Sequence, residues 1–180
     1  NTVGAAARAP TGALAEKNRW RPIVRARQTG AVDATPIAVA GDWHGTLHWA
    51  RRAVGQVADH GARTLLHLGD FGIWPGEPGR RYLKFLDRCC REHDVTISVT
   101  PGNHEHWPSI LAAPLDERNE IGAVAWIAER IAVLPRGHRF TIGDRSFVSL
   151  GGAPSIDREL RVRGVDWWPE EMITDEDVAK

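Results

Sequence analysis

The chain has 180 residues, 42% of them apolar and 26% charged, enough for one globular domain with a sizeable core. Its 23 basic residues are matched by 23 acidic ones, so net charge gives no argument for a nucleic-acid or membrane partner. No apolar run approaches the roughly 18 residues of a membrane-crossing helix. The adjacent pair Cys89-Cys90 cannot build a framework of disulfides, which fits a reducing, cytoplasmic setting.

In chain order, residues 1–35 come first. They are rich in Ala and Gly and carry Arg8, Lys17, Arg19, Arg21, Arg25 and Arg27 against Glu16 and Asp33. Without periodicity or a long apolar centre the segment is no secretory signal, and it is expected to be a poorly ordered basic tail. From Ile37 the pattern turns to alternating strands and helices. Ile37–Ala40 is a buried-strand candidate, and Leu47–His60 is a helix candidate stopped by Gly61. Thr64–Leu68 is a second strand. Arg80–Glu92 is a helix by the spacing of Tyr82, Leu83, Leu86, Cys89 and Cys90, and Val95–Thr100 is a third strand. Such alternation implies parallel strands joined by crossovers.

Beyond residue 120 the character changes. Val124–Ile127 and Ile131–Leu134 are short apolar runs, while Arg139–Ile142 and Ser146–Leu150 flank a Gly143-Asp144 turn. That is a hairpin pattern, and it predicts a second, more antiparallel sheet. Thr174-Asp175-Glu176-Asp177 reads as a helix N-cap, with acids where a first turn favours them. The chain stops at Lys180, and the expectation is a domain over 36–180 that is cut short.

Each crossover strand ends in the same kind of motif: Gly41-Asp42-Trp43-His44-Gly45, then Gly69-Asp70-Phe71-Gly72, then Pro101-Gly102-Asn103-His104-Glu105. Ligands of open α/β sheets sit beyond the carboxyl ends of the strands. Asp42, His44, Asp70, Asn103 and His104 are therefore expected on one rim. Carboxylates with imidazoles suit first-row divalent ions, and an amide oxygen can complete the shell. Trp43, Trp74 and Trp107 lie near these motifs and are expected to pack the loops rather than stack on a nucleobase. Glu105 and His106 stay open between supporting the site and a solvated loop. His48, His60, His67, His93 and His138 read as structural.

So ordered, the three motifs resemble the first three of the calcineurin-like metallophosphoesterases, over Ile37 to the end of the chain. The resemblance implies an α/β fold of two packed mixed β-sheets flanked by helices, an αββα sandwich. It implies a phosphoester hydrolase, a phosphodiesterase or phosphomonoesterase, with two divalent metal ions, Mn, Fe or Zn. Asp42 and His44 would bind the first ion, Asp70 would bridge both, and Asn103 would bind the second. His104 would be the general acid for the leaving oxygen. Two ions roughly 3.5–4 Å apart clamp the phosphoryl oxygens and activate water. The substrate would be a small phosphoester or nucleic acid. The family's later His and its Gly-His-x-His motif do not occur here; Gly137-His138-Arg139-Phe140 lacks the second His. The four ligands present are expected to hold one ion tightly and the second weakly. Two alternatives remain. One is a truncated, non-catalytic remnant of the fold. The other is a Ser/Thr protein phosphatase-like enzyme, disfavoured because the second motif lacks that branch's Arg and second Asp.

Overall fold

The computed structural model describes residues 36–180, so the basic segment 1–35 lies outside the described residues. The apolar runs that precede the motifs pair side by side as β1 (Ile37–Ala40), β2 (Thr64–Leu68) and β3 (Thr96–Thr100), all parallel. Their register sets Ala40 beside His67, and Leu68 beside Thr100. The three motifs thus leave the sheet at one edge.

The crossovers are α1 (Leu47–Asp59) and α2 (Gly76–Glu92). Helix α1 buries Ala50, Ala53, Val54 and Val57, an i, i+3, i+4, i+7 stripe. Helix α2 buries Tyr82, Leu86, Cys89 and Cys90, and begins four residues earlier than its apolar spacing shows. Pro78 and Gly79, which read as breakers, sit inside its first turn. There a missing N–H costs nothing, and Glu77 accepts from both Arg80 and Arg81. Gly79 has a packing reason as well, because a Cβ there would strike the Trp74 carbonyl.

The sheet then grows beyond β3. A short helix, α3 (Trp107–Ala112), leads to β4 (Leu115–Asp116), β5 (Val124–Trp126) and β6 (Ile131–Val133). The resulting six-stranded mixed sheet runs β1-β2-β3-β6-β5-β4. The expected hairpin is β7 (His138–Ile142) with β8 (Arg145–Ser149), and it forms the second sheet among the described residues. Alternation along the strands divides the core. Leu65, Ile97 and Val99 join α1 and α2 on one face, whereas Leu66, Ala132 and Leu134 meet Phe140 of the hairpin on the other. The fold is therefore the expected mixed α/β arrangement, with the small sheet packed on the large one.

The chain after β8 crosses the site edge with little regular structure, two 3-10 turns at Arg158–Leu160 and Pro169–Glu171, before α4 (Asp175–Val178). Thr174 caps α4 in the expected way: its hydroxyl accepts from Asp177 N, and the Asp177 carboxylate accepts from Thr174 N. Arg136 clips this stretch down. Its guanidinium donates to the carbonyls of Gly151, Glu170 and Glu171, pairs with Asp177, and lies 4.0 Å over the Trp107 ring. No described helix is long and apolar enough to cross a membrane.

Candidate metal centre

The ladder between β1 and β2 does not stop where the strands do. Asp42 N donates to Gly69 O at 3.0 Å, His44 N to Asp70 O at 2.7 Å and Gly45 N to Phe71 O at 3.1 Å. The first two motif loops are thus tied main chain to main chain. The third is tied to the second through Asp70, whose Oδ1 accepts from His104 N at 3.1 Å. Gly102 is required for this approach, since a Cβ there would overlap the Asp70 carboxylate.

The candidate ligand residues themselves carry the turns. Asp42, His44 and Asp70 all have left-handed backbone, with φ of 56°, 44° and 52°. Side chains other than glycine adopt this region at a cost of about 1–3 kcal/mol each, and such residues concentrate at functional sites. Gly45, Gly69 and Gly72 beside them also have positive φ, so glycines and candidate ligands share the bends.

The strain brings together a donor set. One ligand atom from each of Asp42, His44 and Asp70 lies within 4.8 Å of the others. His44 Nε2 stands 3.9 Å from Asp42 Oδ1 and 3.6 Å from Asp70 Oδ2. Those separations are too long for hydrogen bonds. They do match donors sharing one cation, because two atoms each about 2.1 Å from an ion stand roughly 3–4 Å apart. Two carboxylates and an imidazole fit a first-row divalent ion. Asp70 is the central residue, 14% exposed, with Oδ1 engaged by the third motif and Oδ2 facing His44. Asp42 and His44 are open to solvent.

Asn103 and His104 lie alongside. Asn103 Nδ2 donates to Ser155 Oγ at 2.9 Å, which leaves its amide oxygen as the end able to meet a cation. The His104 ring is 5.4 Å from that of His44, and its Nε2 is 3.9 Å from Asp157 Oδ2. All five residues named from the sequence therefore stand on one rim.

Glu105 resolves to a supporting role. It is fully buried and accepts from three successive amides, Phe71 N at 2.5 Å, Ile73 N at 2.8 Å and Gly72 N at 3.2 Å. Burial pushes its pKa up, and the three N–H donors pull against that. The carboxylate that ends the third motif thereby holds the loop of the second. Trp43 and Trp107 are packing residues, Trp43 against His67 and Phe71, Trp107 beneath Arg136. Trp74 differs. It is 40% exposed and, with His44, His104, Asp157, Arg161 and Trp168, lines a cavity of about 430 Å³. His67 is buried without a partner on either ring nitrogen, and burial drives its pKa down to about 3. His138 Nε2 meets Ile121 O at 2.6 Å and its ring stacks on Phe140, a structural histidine.

The residues that sequence reasoning missed all come from the irregular stretch after β8: Ser155, Asp157, Arg161 and Glu171. No apolar period marks that stretch.

The family model described as Calcineurin-like phosphoesterase matches residues 35–179. No curated protein and no solved structure matches the chain.

Proposed function

The chain belongs to the calcineurin-like phosphoesterases, and from that premise we propose that it hydrolyses phosphoesters with two divalent ions at the rim of β1, β2 and β3. The observation that carries the reading is the convergence of Asp42, His44 and Asp70 within 4.8 Å. Asp42 and His44 would hold the first ion together with Asp70, and Asp70 and the amide oxygen of Asn103 would hold the second. Manganese, iron and zinc all suit this donor set. The second position has no imidazole and is the weaker one. The ions supply Lewis-acid stabilisation of charge on the phosphoryl oxygens.

The chain's own groups do the rest. His104 stands beside the cluster and gives its proton to the leaving oxygen. Asp157 Oδ2 lies 3.9 Å from His104 Nε2 and shares the cavity wall with it. The cavity beside them, walled by Trp74 and Trp168, receives the leaving group. Its size favours a small phosphomonoester or phosphodiester over a protein substrate. Two buried, unpaired cysteines, Cys89 and Cys90, support a reducing, cytoplasmic setting.

The test is hydrolysis of bis-p-nitrophenyl phosphate and p-nitrophenyl phosphate by the purified chain with added Mn²⁺. Turnover that EDTA abolishes and Mn²⁺ restores is the expected result. A chain that binds Mn²⁺ and cleaves neither ester would reduce the reading to a binding remnant, and one that binds no ion would overturn it.

A further inference from the structure

The segment that leaves β8 runs beside the third motif contact by contact. Thr100 Oγ1 meets Ser149 Oγ at 3.0 Å, Gly152 N donates to Pro101 O at 2.8 Å, and Asn103 Nδ2 donates to Ser155 Oγ at 2.9 Å. Gly151 permits the approach, because a Cβ there would collide with the Pro101 backbone. The register of this run sets Ser155 opposite Asn103.

Ser155 is itself held from three sides. Its hydroxyl oxygen also accepts from Arg161 Nη1 at 2.7 Å, and its backbone N donates to Glu171 Oε1 at 2.8 Å. Arg161 Nη1 lies 3.7 Å from Glu171 Oε2, and both side chains are buried, Glu171 fully. Burying an Arg and a Glu costs heavily unless the geometry returns something, and an apolar pair would fill the space more cheaply. Arg161 holds the Ser155 hydroxyl and Glu171 the Ser155 backbone N, and that hydroxyl in turn holds the Asn103 amide. An asparagine coordinates a cation only through its oxygen, so a bond that occupies the nitrogen end fixes which end is free.

We infer that Ser155, clamped by Arg161 and Glu171, is a positioning residue for the metal centre that holds Asn103 in place to coordinate the second ion. The inference rests on the metal reading above and adds the residues that set the affinity of its weaker position. Partners one shell out from a metal ligand typically change metal affinity 10–100-fold when removed.

The test is a double-mutant cycle read by Mn²⁺ titration calorimetry, with thermal unfolding as the control. Ser155→Ala should weaken the Asn103-dependent Mn²⁺ affinity about 10-fold or more. Asn103→Ala should lose that affinity, and Ser155→Ala added to Asn103→Ala should lose nothing further. Ser155→Thr, which restores the hydroxyl, should recover most of it. If Ser155→Ala does not fold, Arg161→Gln carries the test, with a smaller loss of the same affinity expected. Wild-type Mn²⁺ affinity in a folded Ser155→Ala or Arg161→Gln chain would overturn the inference. So would an Asn103→Ala chain that binds Mn²⁺ as the wild type does, or equal losses with and without Asn103, the mark of a purely structural residue. A wild-type chain that binds no Mn²⁺ would instead overturn the metal reading, and this inference with it.

Discussion

Two stretches of chain meet at the candidate metal centre, and they are held by different means. The stretch from β1 to α3 is tied through its backbone: three main-chain bonds join the first two motif loops, and the Glu105 carboxylate gathers three more amides. The stretch from β8 to α4 is tied chiefly through side chains, with Arg136 and Arg161 reaching its carbonyls and hydroxyl. Backbone ties depend little on residue type at the tied positions, so they leave those side chains free to be ligands. Side-chain ties spend the residue on the tie. The candidate ligands accordingly sit on the first stretch, beside the support Glu105, and the remaining supports sit on the second.

The sharpest break in this contrast is Glu105→Ala. It leaves three buried amides without an acceptor, at about 1–3 kcal/mol for each buried donor left unsatisfied. Urea unfolding should show that loss together with weaker Mn²⁺ binding, because the loop it releases carries Asp70. Unchanged stability would mean that the first stretch does not depend on this carboxylate.

Arg136→Ala tests the other side. It removes donors to the carbonyls of Gly151, Glu170 and Glu171, and hydrogen bonds from a charged group are worth about 1.5–3 kcal/mol. The expected loss in urea is in that range. Binding of the first ion should be spared, since Asp42, His44 and Asp70 lie on the backbone-tied stretch. If the first ion were lost as well, the two stretches would not be separable.

A smaller, pH-dependent effect comes from His67, which packs beneath the first motif against Trp43 and Phe71. Its folded pKa of about 3 is below the model-peptide value of 6.5, so the unfolded chain binds the proton first. Stability should therefore fall as pH drops below about 6.5, with a slope approaching 1.4 kcal/mol per pH unit from this group. His67→Leu should flatten the slope measured by denaturation at pH 6.5 and 5. An unchanged slope would assign acid sensitivity elsewhere.

The smallest expected effect is at Trp74. As an exposed wall of the cavity, Trp74→Ala should raise KM several-fold for an aryl phosphodiester. An unchanged KM would remove Trp74 from the substrate wall.

The same contrast explains what could be read from the sequence. Thr64–Leu68 and Ile37–Ala40 were legible to the residue because apolar runs bounded by Gly-Asp leave few other readings. The five rim residues were legible because acids, an amide and imidazoles at successive strand ends share one chemistry. The start of α2 was misplaced because Pro78 and Gly79 are breakers everywhere except in a first turn. Glu105 stayed open because three backbone donors leave no trace in residue types. Ser155, Arg161 and Glu171 were hidden for a further reason: their partners are 52, 6 and 16 positions away, across a stretch without periodicity.

The central claim is that Asp70 joins the motifs into one metal centre. It is tested most directly by Mn²⁺ titration of the wild-type chain and of Asp70→Asn, side by side. The wild type should bind Mn²⁺, and the variant should lose about 10-fold or more in affinity while keeping the wild-type circular dichroism spectrum. Equal stoichiometry and affinity in the two chains would contradict it.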